Sequence, residues 1–239
     1  NKEIPLVLVS SKTLAELEDY SRQLSLAHPV VAENGAALYV PANYFSKALP
    51  LEAAPVSRVR LQSAYREAKV NNSYNCEAFY ELGDTGIARV TGLGIEQARR
   101  ANNRLGSEPI LWLDDDSRED TFVQEMEAQG LRCIRGGRFL HLMGKTGKED
   151  AVRQLMEQYA HKWPEQKLIS VSLGDGPNDL GMLANTDIAV LIPGRHQHRM
   201  TLNSDNQILT PASPGPAGWN EAMMSLLAEP LDELQKPLT

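Results

Sequence analysis

Leu168-Ile169-Ser170-Val171-Ser172-Leu173-Gly174-Asp175-Gly176-Pro177-Asn178-Asp179 runs from a largely apolar segment straight into an acidic, glycine-bearing corner. The first six residues predict a buried strand. In open parallel sheets, ligands bind beyond the carboxyl ends of strands, which is where this corner falls. Asp175 and Asp179 stand four residues apart across it. Two carboxylates presented to one crevice are hard oxygen donors of the kind that suits Mg²⁺. The competing reading is an Asx-rich turn that only caps the next helix. The run of polar and glycine positions directly after the strand favours function. A short helix, Leu180 to Ala184, then leads to a second buried strand, Ile188 to Ile192, closed by Pro193.

The same strand-corner-helix grammar opens the chain. Ile4-Pro5-Leu6-Val7-Leu8-Val9 predicts a strand buried on both faces. Ser10-Ser11-Lys12 is its polar turn, and Thr13-x-x-Glu16 is a capping box before a helix carrying Leu14, Leu17 and Leu24. Val30-Val31-Ala32 predicts another strand, Asn34-Gly35 a tight turn, and Ala36 to Val40 a further extended segment. Towards the other end, Thr146-x-x-Glu149 reads as a second capping box. It precedes a helical stripe of Ala151, Val152, Leu155, Met156 and Tyr159, which Trp163-Pro164 ends.

The middle has a different style. Cys76 to Leu82 reads as extended and Ile95 to Leu105 as a basic helix. Ile110 to Leu113 reads as a strand, followed by a helix capped by Ser117 and ended by Gly130. Leu131 to Ile134, a Gly136-Gly137 turn and Phe139 to Met143 predict a hairpin. This order predicts a small antiparallel α+β module, residues 41–144, inserted into a parallel α/β domain made of residues 1–40 and 145–239. Pro41, and the Leu49 to Val56 stretch with Pro50 and Pro55, mark its first edge.

The 239 residues carry 24 Lys+Arg against 31 Asp+Glu, a net charge of −7, which disfavours nucleic-acid and anionic-membrane partners. No apolar run approaches the roughly 20 residues of a membrane span. Cys76 and Cys133 are too few for a disulfide framework and predict reduced thiols in a cytoplasmic protein. With only three residues ahead of Ile4 and no Met at position 1, the sequence reads as starting part-way through a longer chain.

Ser10 occupies the corner equivalent to Asp175 on the other strand. A hydroxyl there, with the N–H groups opening a helix, suits a phosphate oxygen. Lys148, at the start of the Ala151 helix, supplies a point charge. Singly these read as an ordinary N-cap and a solvated lysine. A Ser, a Lys and an acidic Gly-Asp turn at three such corners are together the parts of a phosphoryl-transfer site.

Ser10, Lys148 and the Gly174–Asp179 run resemble the second, third and fourth motifs of the haloacid-dehalogenase superfamily, in the branch with a large α/β cap. Ser10-Ser11-Lys12-Thr13, Glu33-Asn34-Gly35-Ala36, Gly137-Arg138-Phe139, Gly147-Lys148 and Gly215-Pro216-x-Gly218-Trp219 narrow the resemblance to the mannosyl-3-phosphoglycerate phosphatase family. The resemblance implies a Rossmann-like core with an inserted α+β cap. It implies Mg²⁺ held by Asp175 and Asp179, with Ser10, Lys148 and Asp179 in catalysis. Ser11, Lys12, Asn34, Gly35, Arg138 and His141 become the candidate substrate contacts. The implied substrate is a small phosphorylated sugar-glycerate, mannosyl or glucosyl, and the implied product a glycosylglycerate. Another sugar-phosphate phosphatase and a non-catalytic sugar-phosphate sensor are the rival readings.

One family element is missing. The Asp-x-Asp-Gly-Thr segment, whose first Asp attacks phosphorus to give an aspartyl phosphate, has no counterpart in these residues. The resemblance places it on a strand before Ile4, so the expectation is an amino-terminal strand and helix ahead of Asn1. In the hairpin turn Arg135-Gly136-Gly137-Arg138, two guanidinium groups suit a glycerate carboxylate, although Arg135 reads equally as a solvated flank. His141 reads either as a ligand for sugar hydroxyls or as a buried, satisfied histidine. Asp114-Asp115-Asp116 reads as capping, His196-x-His198 as surface, and Arg99, Arg100 and Arg104 as a solvated basic face. Trp219 reads as packing the last helix.

Overall fold

The computed structural model describes residues 4–46, 56–194, 202 and 206–228. Pro50, Pro55 and the His196-x-His198 pair lie outside the described residues. The chain forms two compact units, Asn1–Ala151 and Val152–Thr239.

The first unit begins with strand β1 (Leu8–Val9), helix α1 (Leu14–Gln23), strand β2 (Val30–Ala32) and strand β3 (Ala37–Tyr39). β1 pairs parallel with β2, and β2 antiparallel with β3. The expected capping box is present: Thr13 Oγ1 accepts the Glu16 N–H and the Glu16 carboxylate accepts the Thr13 N–H. Leu17, Val30, Ala32 and Ala37 bury the inner face, with Leu8 and Leu14 against them. The expectation of one long strand buried on both faces, Ile4 to Val9, is corrected. Ladder pairing covers only Leu8–Val9, and Ile4 and Leu6 are exposed. Among the described residues β1 has a strand neighbour only on the β2 side.

Helix α2 (Arg58–Asn72), strand β4 (Cys76–Ala78), helices α3 (Phe79–Thr91) and α4 (Ile95–Asn102), strand β5 (Ser107–Trp112), helix α5 (Asp116–Ala128), and strands β6 (Arg132–Gly136) and β7 (Phe139–Met143) follow. The four strands form one antiparallel sheet in the order β4-β5-β7-β6. Tyr65, Phe122, Met126, Ile110 and Leu142 fill its main core. Tyr65 and Tyr74 meet the Phe122 ring edge-on at 6.4 and 5.7 Å, the arrangement that aromatic quadrupoles favour. Phe79, Ile87, Ala98 and Ala101 make a second cluster between α3 and α4.

Three local expectations move. Cys76 to Leu82 is extended only to Ala78, because the Glu81 carboxylate accepts the Ala78 N–H at 3.0 Å and starts α3 there. Asp115, not Ser117, caps α5: its Oδ1 accepts the Arg118 N–H and the Ser117 hydroxyl, and a carboxylate is the stronger acceptor. The basic helix stops at Asn102, and Arg104 lies beyond it, buried.

Helix α6 (Lys148–Lys162) starts in the first unit and continues into the second. The expected Thr146–Glu149 box is not what starts it. Asp150 reaches back to the Gly147 N–H at 2.8 Å, while Glu149 is drawn to Arg132.

The second unit adds strand β8 (Val171–Gly174), helix α7 (Leu180–Ala184), strands β9 (Ile188–Leu191) and β10 (Gln207–Leu209), and helix α8 (Gly215–Ala228). Its sheet, in the order β10-β9-β8, is wholly parallel. Ile188, Val190, Ile192, Ala222 and Leu226 form its core. β8 starts at Val171, later than Leu168: the Ser170 N–H and hydroxyl are both bound by the Asp187 carboxylate, and only the Ser170 carbonyl joins the ladder, accepting the Ile188 N–H at 3.0 Å. Trp219 is exposed on α8, contrary to the packing expected of it. Parallel pairs in both units and one separate antiparallel sheet give the α/β class with an α+β module that the sequence predicted. Among the described residues, no helix is long and apolar enough to cross a membrane.

Candidate functional site

The Ser10-Ser11-Lys12 corner leaves β1 with all three of its carbonyls tied down. The Ser10 carbonyl accepts the Asn34 N–H at 2.9 Å, and the Lys12 carbonyl accepts the Glu33 N–H at 2.8 Å. The Ser11 carbonyl accepts Nη2 of Arg104 at 3.2 Å. The Ser10 hydroxyl accepts the Lys12 N–H at 3.2 Å, which keeps its own proton for a further acceptor. The Lys12 ammonium turns back along α1 onto Glu16 at 3.3 Å and over the Tyr20 ring.

The partner of this corner is the Glu33-Asn34-Gly35 turn. Its three residues have φ of 52°, 56° and 100°, in the left-handed region where only glycine is at ease. Gly35 has a second reason to be glycine. A Cβ there would lie 2.1 Å from the Gly147 carbonyl oxygen and 2.8 Å from the Lys148 nitrogen. Ser10, Asn34, Gly35 and the backbone that opens α6 are therefore stacked in one place, and Lys148 is the first residue of that helix. Lys148 is 4% exposed. A hydroxyl corner stacked on a helix N-terminus suits a phosphate group, and that helix begins with a lysine.

His141 on β7 is buried, and its Nδ1 finds no hydrogen-bond partner among the described residues. Burial, with Arg104, Lys148 and Arg135 adding to it, pushes its pKa down to about 3. The imidazole is thus neutral and keeps an uncommitted nitrogen. The hairpin arginines have partners on the protein. Arg135 pairs with Glu119. Arg138 donates to the Val90 and Thr91 carbonyls at 2.9 and 3.1 Å, where a guanidinium offsets the negative end of α3.

In the second unit, Asp179 Oδ2 accepts the N–H groups of Asp175 and Gly176 at 3.2 and 3.1 Å. This carboxylate shapes the corner. Gly174 permits it, since a Cβ there would lie 2.5 Å from the Asp179 Cβ. Asp175 is exposed at the end of β8. Among the described residues no group of three His, Cys, Asp or Glu side chains could enclose a metal. Asp175 is the side chain there suited to an ion that keeps most of its waters.

Sequence reasoning missed Glu33 and Arg104. Glu33 is 0% exposed and holds the Leu105 N–H, the Gly106 N–H and the Ser107 hydroxyl. Its signal was present: an acidic residue directly after the fully buried Val30-Val31-Ala32 requires internal partners.

A family model described as haloacid dehalogenase-like hydrolase matches residues 1–196. A glucosyl-3-phosphoglycerate/mannosyl-3-phosphoglycerate phosphatase of Methanococcoides burtonii is 32% identical, over 95% of this chain and 86% of its own length. The protein of the same name from Persephonella marina is 31% identical over the same shares. Among solved structures, a protein of Streptococcus mutans matches with a TM-score of 0.65 at 15% identity, over 95% of this chain and 87% of that one, which shows a shared fold.

Gly35→Ala meets both the left-handed backbone and the Gly147 carbonyl, so the expected cost exceeds about 2 kcal/mol in urea unfolding. His141 yields a pH test. Its folded pKa lies near 3, below an unfolded value of about 6.5. The unfolded chain therefore binds the extra proton first, and stability falls as pH drops through that window, by up to about 1.4 kcal/mol per unit from this group. His141→Gln should flatten that slope in melts recorded from pH 7 to pH 4. An unchanged slope would show that the imidazole is not held neutral.

Proposed function

The chain belongs to the haloacid dehalogenase-like hydrolase family, and on that premise we propose that it is a cytoplasmic, magnesium-dependent phosphatase acting on mannosyl-3-phosphoglycerate or its glucosyl analogue. The products would be the glycosylglycerate and phosphate. The observation that carries this reading is the close approach of Gly35 to Gly147. It stacks the Ser10 corner on the start of the helix that bears Lys148. Relatives from two organisms whose names include both phosphoglycerate substrates support the choice of substrate.

In this reading the Ser10 hydroxyl donates to a phosphoryl oxygen, and the Lys148 ammonium offsets the charge that spreads over those oxygens. Ser11 and Lys12 complete the corner with their backbone. Asp175 offers the carboxylate for magnesium, and Asp179 holds the corner that presents it. A single hard carboxylate suits an ion that keeps most of its waters, which when bound would neutralise phosphate charge. Residues 41–144 form the cap over the organic part of the substrate, and residues 1–40 with 145–239 form the core. Asn34 and the neutral His141 would serve as hydrogen-bonding groups for the sugar-glycerate part. Arg138 has that role through whatever donors its two carbonyl bonds leave.

The test uses the full-length gene product, because the attacking carboxylate expected of the family belongs to an Asp-x-Asp-Gly-Thr segment that residues 1–239 do not contain. Phosphate release should favour mannosyl- or glucosyl-3-phosphoglycerate over simple sugar phosphates by at least about tenfold in kcat/KM, a gap of about 1.4 kcal/mol. It should also require magnesium. Equal rates on all esters would remove the substrate assignment, and no release from any would remove the phosphatase. Asp175→Asn should lower kcat/KM by more than about a hundredfold at limiting magnesium, since even residues that only orient metal ligands are worth 10–100-fold.

A further inference from the structure

Glu33 and Arg104 are buried charges that the proposed chemistry does not use. Glu33 is 0% and Arg104 8% exposed. The Arg104 guanidinium donates to the Ala101 carbonyl at 3.0 Å, to the Ser107 hydroxyl at 2.7 Å and to the Ser11 carbonyl at 3.2 Å. The Ser107 hydroxyl in turn donates to the Glu33 carboxylate at 2.7 Å, which also accepts the Leu105 and Gly106 N–H groups at 2.9 and 3.1 Å. Burial pushes the guanidinium below its ordinary pKa, and the Glu33 charge is the largest influence opposing that. An arginine tolerates such a shift without losing its proton.

The expectation of Arg104 as a solvated cation is thereby overturned: every direction its guanidinium takes ends on the protein. Two of those directions matter to the site. One reaches the Ser11 carbonyl, in the middle of the corner proposed to hold phosphate. The other reaches, through one hydroxyl, the carboxylate of the residue whose N–H binds the next carbonyl, that of Lys12. Glu33 also keeps a left-handed φ of 52°. Such a conformation is strained for a non-glycine residue and persists where its surroundings over-determine it.

We propose that Glu33 and Arg104 are positioning residues that clamp the Ser10-Ser11-Lys12 corner from behind, through the Ser11 and Lys12 carbonyls, so that the Ser10 hydroxyl stays aimed at a bound phosphate. This rests on the phosphatase reading. Neither side chain contacts substrate. The pair serves every phosphate ester equally, because what it sets is the geometry around the phosphoryl group and not the fit of the organic part. Small displacements in such a corner are costly, since a shift of about 1 Å can reduce rates by about a hundredfold.

The test is Arg104→Lys in the full-length protein. Lysine keeps the charge but has one head group, which cannot reach three acceptors in three directions. The readouts are kcat/KM for para-nitrophenyl phosphate and for mannosyl-3-phosphoglycerate, the affinity for inorganic phosphate by calorimetry, and the melting temperature. The expected result is a loss of about tenfold or more on both esters, by similar factors, with phosphate affinity weakened alongside. Added guanidinium should restore part of the activity of Arg104→Ala. Unchanged aryl-phosphate kinetics and phosphate affinity in a folded variant would overturn the proposal, whatever happens to the melting temperature. So would a loss confined to the large substrate. If Arg104→Lys does not fold, Ser107→Ala removes the bridging hydroxyl while keeping both charges. It should lower both rates by about tenfold or more, since it removes two hydrogen bonds to charged groups, and no change would again overturn the clamp. A wild-type protein that hydrolyses neither ester would count against the phosphatase reading, while the calorimetric comparison would still test the clamp.

Discussion

The Glu33 carboxylate is the contact on which the proposed phosphate corner depends. The chain leaves β2 fully buried and must reverse at once into β3, which it does through three consecutive residues with positive φ. Two of those are not glycine, so the turn needs compensation from elsewhere. Glu33 supplies it by accepting three hydrogen bonds from residues 105–107. Once the turn is held, its N–H groups line up on the Ser10 and Lys12 carbonyls, and Gly35 comes within reach of Gly147. Removing a single buried carboxylate would leave three donors without an acceptor, each costing about 1–3 kcal/mol.

The electrostatics follow from this arrangement. A chain of net charge −7 gathers Arg104, Lys148 and Arg135 around one imidazole. The loss of water, with their combined field adding to it, keeps His141 unprotonated. Buried cations in an acidic protein require an internal reason. For Arg104 the reason is structural, since Glu33 and three acceptors answer it.

Much of the fold was legible in the sequence because it depends on near neighbours. The Thr13–Glu16 capping box, the glycine end of α5, the Asn34-Gly35 turn and the hairpin of β6 and β7 each involve residues a few positions apart. Where two acceptors competed locally, the pattern misplaced the boundary by a residue or more. Asp115 displaced Ser117 at the start of α5, and Asp150 displaced the Thr146 box at α6. Cys76 to Leu82 read as extended because its apolar content conceals Glu81, which caps a helix and also binds Tyr65 and Lys69. Of the candidate site, Ser10, Asn34, Gly35 and the start of the Lys148 helix are gathered within the first unit. Arg138 looked like a ligand, but its acceptors in this structure are two helix-terminal carbonyls at positions 90 and 91.

By itself the sequence determined the α/β class, the polar corners after its apolar strands and the residue types suited to phosphate. Those follow from period, capping and turn chemistry, which act over a few residues. Only the tertiary structure decided that Glu33 would meet residues 72 and more positions away, that Arg104 would be buried and not solvated, and that His141 would keep an uncommitted nitrogen. Loss of water decided each of these. A side chain's burial is set by what distant segments bring against it, and a charged group's partners are chosen only after that burial has made partners necessary.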